Sequence, residues 1–197
     1  MLRIDLDILQ QWVPVASRVL DLGCGNGTLL KSLAKNRQIE GYGLEIDADE
    51  ITACIAQGVN VIEKDINEGL DNFQDKSFDT VVMTYSMQAL RRPDLVIDEM
   101  LRVGKECIVT FPNFGNIRTR AYLMLRGKMP VTKQLAYQWY DTPNIHFCTI
   151  SDFEALCFEK GIQILHRETV TVHTPDRHLN RFWPNMFAET AIYHLAK

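Results

Sequence analysis

The sequence has no basic excess, no long apolar run, no low-complexity linker and no internal repeat. A net charge of -4 and a pI near 5.7 disfavour nucleic acid as a non-specific polyanionic partner. A membrane span needs about 18 apolar residues in a row, and none occurs, so no membrane association is expected. The N-terminal segment carries Asp5 and Asp7, which is unlike a signal peptide. These absences predict a cytoplasmic protein.

The cysteines form no recognisable framework. The five residues, Cys24, Cys54, Cys107, Cys148 and Cys157, are odd in number and show no Cys-x-x-Cys spacing. This pattern predicts neither a disulfide scaffold nor a metal site. We expect buried free thiols in a reducing compartment.

Short apolar segments alternate with helical patterns along most of the chain. Strands are predicted at Arg18–Leu22, Tyr42–Ile46, Val59–Ile62, Phe78–Thr84 and Cys107–Phe111, with helices at Thr28–Lys35, Asp49–Gln57 and onward from Pro93. This alternation implies right-handed βαβ units and a mainly parallel sheet covered on both faces. Ile162–Val172 and Thr190–Leu195 predict two further strands that close the sheet as an antiparallel pair. The prediction is a single α/β domain over residues 1–197, a three-layer sandwich around a seven-stranded sheet.

The last third has a different character. Residues Asn113–Lys128 look helical, and a loop is predicted over Met129–Cys148. Ser151 is predicted to cap a helix N-terminus, with Glu154 completing a capping box. Gly161 suits the C-terminal end of that helix.

A glycine-rich loop, Asp21-Leu22-Gly23-Cys24-Gly25-Asn26-Gly27, joins the first strand to the first predicted helix. Glycine accepts positive φ and lets the backbone approach a ligand, and a helix N-terminus offers free N–H donors. Dinucleotide-binding loops read Gly-x-Gly-x-x-Gly, but here Thr28 takes the last position, and no P-loop Lys-Ser/Thr follows. The Gly-x-Gly-x-Gly pattern after a strand-end acid resembles motif I of class I methyltransferases, whose loop wraps the methionine moiety of S-adenosylmethionine. A glycine turn with no ligand is the alternative.

Two acidic residues follow the next two strands. Glu45 lies 20 residues beyond Gly25, where a carboxylate can accept hydrogen bonds from vicinal ribose hydroxyls, a feature that NAD-binding folds share. Asp65, with Ile66 beside it, resembles the methyltransferase acid that holds the adenine amino group. A turn residue or helix cap is the alternative for Asp65.

The fourth predicted strand completes the candidate cofactor site. Ser77–Val82 resembles the family's fourth-strand motif, and Thr84, Tyr85 and Ser86 fall at the carboxyl end, where open α/β sheets bind ligands. Gln88 and Leu90 are expected to flank the same pocket. The candidate set for S-adenosylmethionine or S-adenosylhomocysteine is Asp21, Gly23, Cys24, Gly25, Gly27, Glu45, Ile46, Asp65, Ile66 and Thr84.

No methyl-acceptor chemistry stands out. The sequence lacks an Asn-Pro-Pro-Tyr motif and the paired cysteines of cytosine methylation. His146, His173 and His178 could each act as a base, although a surface or hydrogen-bonded histidine is the favoured interpretation. No catalytic residue is assigned.

Basic and aromatic residues cluster after the fifth strand. The cluster comprises Arg118, Arg120, Arg126 and Lys128, and the neighbouring loop adds Trp139, Tyr140 and Phe147. It could recognise an acidic small molecule or a protein partner, since arginine and aromatics anchor interfaces. A solvated helix face is the alternative, and the one favoured for the basic residues.

Two stretches resemble the methionine biosynthesis protein MetW family. One is Arg18–Leu30, which many methyltransferases share; the other, longer and more specific, comprises Phe111–Arg118, Leu125–Thr132 and Tyr137–Thr149. The resemblance implies a class I methyltransferase-like (Rossmann-like) fold and a role in methionine biosynthesis beside the homoserine O-acyltransferase MetX. The Gly-x-Ser-x-Gly elbow of α/β-hydrolase-type acyltransferases is absent here.

Three hypotheses therefore remain. The first is an accessory S-adenosylmethionine-binding protein that supports homoserine acylation, and the second is an active methyltransferase on a small molecule. The third is a nicotinamide-dependent oxidoreductase. The sequence predicts neither a methyl acceptor nor an oligomeric state.

Overall fold

A computed structural model describes residues 4–132, 136–171 and 179–197. The strands are β1 Arg18–Leu22, β2 Glu40–Glu45, β3 Asn60–Glu63, β4 Phe78–Thr84, β5 Gly104–Pro112, β6 Gln163–Val170 and β7 Thr190–Ala196. The helices are α1 Ile4–Leu9, α2 Thr28–Arg37, α3 Ala48–Ala56, α4 Pro93–Val103, α5 Ile117–Arg126, α6 Ile150–Glu159 and α7 Pro184–Phe187. Short 3₁₀ turns follow β3 at Ile66–Glu68 and β4 at Met87–Ala89. None of the described helices is long and apolar enough to cross a membrane.

The strands form one sheet in the order β3-β2-β1-β4-β5-β7-β6. Strands β1 to β5 pair in parallel, whereas β7 lies antiparallel between β5 and β6. The predicted α/β fold, with its mostly parallel seven-stranded sheet and antiparallel C-terminal strand, is confirmed. The strand order reverses between β1 and β4, and ligands of open α/β sheets bind at such a switch point.

Alternating residues of each strand face opposite helical layers. Leu20 and Val81 point into a core shared with α4 and α6, whereas Val19 and Val82 point into a second core shared with α1, α2 and α3. Strands that are buried on both faces tend to have continuous apolar sequences. This explains why the sequence predicts the bounds of β4 correctly.

The predicted capping box of α6 is wrong by two residues. Thr149 is the N-cap: its Oγ accepts from Asp152 N–H at 3.2 Å, and the Asp152 carboxylate accepts from Thr149 N–H at 2.8 Å. The Thr-Ile-Ser-Asp spacing fits the same motif, and the strand-to-helix path selects it. Glu154 instead accepts from Arg167, 2.8 Å away. Gly161 follows the helix with φ 65°, as predicted.

The helix predicted over Asn113–Lys128 is shorter in the structure. Asn116 caps α5 by accepting from Arg118 N–H at 2.9 Å, and Gly127, with φ 60°, ends it. The preceding residues are held by side-chain hydrogen bonds that a helix could not make. Within the described part of the predicted loop Met129–Cys148 there is no helix or strand until α6 begins. Helices α1 and α7 were not predicted.

A stack of aromatic rings ties the N-terminal segment to the sheet. Trp12 lies against His166 and His194, with ring centroids 5.7 and 5.6 Å apart. His194 is buried, and its Nε2 lies 2.8 Å from a Glu106 carboxylate oxygen. Burial nevertheless lowers the pKa of His194 below its ordinary value of 6.5, with the nearby His166 adding to that effect. His194 is therefore held neutral in the folded protein.

We expect the free energy of unfolding to fall as the pH drops below 6.5. The unfolded chain binds a proton at His194 before the folded chain does, so acid favours unfolding. Urea midpoints measured above and below that pH check this, and they should converge in His194→Gln. His146→Gln, an exposed histidine on the loop before α6, is the control and should keep the pH dependence. An equal pH dependence in His194→Gln and the wild type would contradict the assignment.

Candidate functional site

A cavity of about 450 Å³ opens at the carboxyl end of β1, beside the end of β4. This volume lies within the ~300–1,000 Å³ usual for small-molecule sites. Its lining includes the candidate residues Asp21, Gly23, Cys24, Gly25 and Thr84. Half of the predicted set thus meets at one cavity.

The glycine loop is built for close approach to a ligand. Gly23, Gly25 and Gly27 have φ of 71°, 52° and 76°, a conformation that side chains disfavour. A Cβ on Gly23 would lie 2.5 Å from Ser86 Oγ, and one on Gly27 would lie 2.9 Å from Cys54 Sγ. Packing within the protein therefore requires glycine at Gly23 and Gly27, and Gly23 and Gly25 line the cavity.

Glu45 fixes the loop from the end of β2. One carboxylate oxygen accepts from Gly25 N–H at 2.8 Å, and the other accepts from Ile46 and Asp47 N–H at 2.8 and 3.1 Å. A carboxylate has about four lone-pair directions, so one remains for a further donor. Glu45 and Ile46 lie outside the cavity lining. The ribose role of Glu45 stays a prediction.

Asp65 and Ile66 lie on the other side of Gly23. Asp65 caps the 3₁₀ turn after β3 by accepting from Asn67 N–H at 2.8 Å, the helix-cap geometry left open by the sequence. Ile66 is buried, with its Cδ1 3.8 Å from the Cβ position of Gly23. It borders a second cavity of about 390 Å³ that also contacts Arg91. The adenine role stays a prediction.

The chain after β4 forms the far edge of the cavity. Thr84 lines the cavity, and Tyr85, with φ 56°, occupies a conformation unusual for a non-glycine residue. The Tyr85 hydroxyl hydrogen-bonds Thr190 Oγ1 on β7. Strained backbone of this kind concentrates at functional sites.

The loop before α6 is attached to that edge. The Gln88 carbonyl accepts from the N–H groups of Ile145 and His146 at 2.7 and 3.0 Å. His146 Nε2 lies 3.2 Å from the Arg91 carbonyl oxygen, outside the cavity lining. Of the other candidate bases, His173 and His178 lie outside the described residues.

Two thiols meet at the loop, one from the loop itself and one from α3. Cys24 and Cys54 have Sγ atoms 3.9 Å apart, and the Cys54 thiol donates to the Gly25 carbonyl at 3.0 Å. Burial raises the pKa of both thiols. Both therefore stay protonated at neutral pH and support the loop rather than act as nucleophiles.

Sequence reasoning missed several residues that line the cavity, namely Leu6, Asn26, Thr28, Leu29 and Glu50. Asn26 and Thr28 could have been found, because their Asn-Gly-Thr run opens α2. The Asn26 side chain accepts from Thr28 N–H at 3.1 Å. Leu6 gave no signal because its helix was not predicted.

Comparisons with known proteins agree on family and fold. The sequence profile of the family described as "Methionine biosynthesis protein MetW" matches residues 3–195. A Rhodopirellula baltica protein described as "Bifunctional methionine biosynthesis protein MetXA/MetW" is 32% identical over 97% of this chain. The match covers 32% of that relative, so this chain spans about a third of its length.

Solved structures with the same fold include several methyltransferases. An S-adenosylmethionine-dependent methyltransferase from Mesorhizobium loti aligns with a TM-score of 0.71 at 13% identity, covering 97% of this chain and 96% of the other. One from Archaeoglobus fulgidus gives 0.69 at 17% identity over 98% and 92%. The Synechocystis magnesium protoporphyrin IX methyltransferase with bound SAH gives 0.66 at 17% identity over 98% and 81%.

Proposed function

This chain belongs to the methionine biosynthesis protein MetW family, and from that membership we propose that it binds S-adenosylmethionine and supports homoserine O-acylation by the acyltransferase MetX. The ligand half of the proposal rests on the glycine loop. Its backbone faces a cavity of suitable size, and the Glu45 carboxylate holds it in place. Asp21, Gly23, Gly25 and Thr84 would contact the ligand, with Glu45 and Asp65 as candidate ribose and adenine partners.

The partnership half rests on one observation, the fused Rhodopirellula relative whose name joins MetXA to MetW. A relative that carries both units in one chain favours a working association between them. This chain lacks a Gly-x-Ser-x-Gly elbow, so the acyl transfer itself belongs to the partner. The free state of all five cysteines favours a reducing, cytoplasmic compartment for the pair.

We expect this chain to raise the homoserine acylation rate of the same organism's acyltransferase by at least ~5-fold at sub-saturating homoserine, because a typical coupling changes ligand affinity by about that factor or more. The assay compares the acyltransferase alone, with this chain, and with this chain plus S-adenosylmethionine. S-adenosylmethionine can change the stimulation of the acyltransferase only if it binds one conformational state of this chain more tightly than another. No co-purification and an unchanged rate would overturn the proposal.

A second candidate is methyl transfer to a small acceptor, favoured by the strained Tyr85 backbone beside Thr84 at the cavity edge. In-line displacement needs positioning above all, and strain at this point is typical of a site that positions a reactant. Incubation with methyl-labelled S-adenosylmethionine and a metabolite extract tests it. Persistent absence of labelled product, with ligand binding measured in parallel, would exclude it.

A further inference from the structure

Helix α5 exposes apolar side chains around its last turns. Tyr122, Leu123, Met124 and Leu125 are all exposed, Met124 at 79% and Leu125 at 76%, and Thr119 is the buried residue of the helix. Four consecutive exposed positions cover more than one side of a helix. The remaining positions of α5 include Arg118, Arg120 and Arg126, so the helix carries an uncovered apolar surface at its C-terminal end beside basic side chains.

Two further segments, which contact the chain just before α5, also expose large side chains. Trp139 and Tyr140 stand out from the loop before α6, and Phe182 and Trp183 stand out just before α7. The start of α5 touches both segments. Phe114 stacks on Phe147 of the loop, with centroids 4.9 Å apart, and the Asn116 amide donates to the Phe187 and Ala188 carbonyls. These three segments form what we term the docking face.

The docking face is large enough for a stable complex. Phe, Tyr and Trp side chains bury ~150–250 Å² each, so the exposed fractions of the five aromatic residues correspond to on the order of 600 Å², to which the three aliphatic side chains of α5 add. Monomers rarely expose apolar patches above a few hundred Å², and a standard interface buries ~800 Å² per partner.

A small cavity lies within the docking face. Phe114, Met129, Tyr137, Trp139 and Phe147 line about 170 Å³. This volume is below the ~300 Å³ of typical ligand sites. It suits a single anchoring side chain from a partner, the arrangement found at interface hot spots.

The charge around the face selects the kind of partner. Arg118, Arg120 and Arg126 lie on α5 and Lys128 lies just beyond it, and no acidic residue lies between Glu106 and Asp141, in a chain whose net charge is -4. A second copy of this chain would bring these cations against each other, which is unfavourable. The face therefore fits a different protein with an apolar centre and an acidic rim.

We propose that the docking face binds the acyltransferase, which would contribute a surface with an apolar centre and an acidic rim. This inference rests on the proposed function. The same loop that carries Trp139 hydrogen-bonds Gln88, four residues beyond Thr84 of the ligand cavity. A partner seated on the face thus touches an element attached to the cavity edge.

Calorimetric titration of the same organism's acyltransferase with the full chain tests the docking face. Met124→Glu/Leu125→Glu should weaken binding at least ~100-fold, since two charges would enter an apolar interface and lose their hydration. Trp139→Ala should weaken it ~10-fold or more. Ile55→Glu, which places a charge at an exposed apolar residue of α3, should bind as the wild type does. Matching thermal unfolding curves show that the variants are folded.

Four outcomes separate the possibilities. Loss of binding in the α5 and Trp139 variants alone supports the docking face. If the wild type binds the acyltransferase and those variants bind it equally well, the docking face is overturned as the binding site, and the proposed function stands. No binding by the wild type overturns both. A self-associated chain that becomes monomeric in Met124→Glu/Leu125→Glu assigns the face to a second copy and overturns the acyltransferase as its occupant.

Discussion

Replacing Gly23 with alanine is expected to reduce affinity for S-adenosylmethionine by ~30–100-fold. An L-residue at φ 71° costs about 1–2 kcal/mol, and the new Cβ would lie 2.5 Å from Ser86 Oγ and 3.1 Å from its Cβ. Relief requires the loop backbone to shift within the cavity lining, which moves the donors that meet the ligand. At ~1.4 kcal/mol per tenfold change, ~2–3 kcal/mol of strain gives the stated loss.

Gly58→Ala provides a matched control. Gly58 also has positive φ, at 72°, but a Cβ there meets no atom within 4 Å. It should lower the free energy of unfolding by about 1 kcal/mol and leave calorimetric affinity for S-adenosylmethionine unchanged. Adding Ser86→Gly to Gly23→Ala should restore part of the affinity, because it removes the clash and keeps the backbone strain. Wild-type affinity in Gly23→Ala would mean that the loop does not hold the ligand.

Phe111→Ala is expected to lower the free energy of unfolding by about 3–5 kcal/mol, the usual effect of removing a buried phenylalanine. The Phe111 ring is fully buried on β5, 4.9 Å from the Phe153 ring of α6 and 6.0 Å from the Tyr193 ring of β7. The void left by the ring would open between α6 and the neighbouring strands β5 and β7, so no single element could close it. Urea unfolding measures the loss.

The control for this variant is Phe158→Ala on α6. Phe158 is 87% exposed, and surface substitutions usually change stability by less than ~0.5 kcal/mol. A similar loss in both variants would contradict the assignment of the effect to the buried ring cluster.

The parallel half of the sheet could be predicted because its strands carry their own signal. Phe78–Thr84 is mostly buried on both faces and contains a run of three apolar residues, and its bounds agree with the prediction. Helix α1 could not be predicted, because its six residues include two acids. It forms because Leu6 and Leu9 are buried against the second core. The Gln10 side chain just beyond it accepts from Ser32 of α2 at 2.9 Å.

The part of the cavity lining that the glycine loop forms was predicted from the sequence. The part that more distant segments contribute was missed. The glycines predicted the loop. The hydrogen-bond partners of Glu45 could not be predicted, because they depend on how the chain turns after β2, where the N–H groups of Gly25 and Asp47 both donate to the Glu45 carboxylate. Position 6 reaches the cavity only through tertiary packing of α1. No local pattern in the sequence encodes such a contact.

The placement of the tryptophans gives the molecule two separate optical signals. Trp139 and Trp183 are both exposed on the docking face, whereas Trp12 packs against the imidazole rings of His166 and His194. Emission from an indole moves to shorter wavelength when water is excluded, so a protein covering the face should shift the spectrum without any attached dye. A protonated imidazole quenches a neighbouring indole, so acid should dim Trp12 instead. Wavelength thus reports assembly, and intensity reports the protonation of His194.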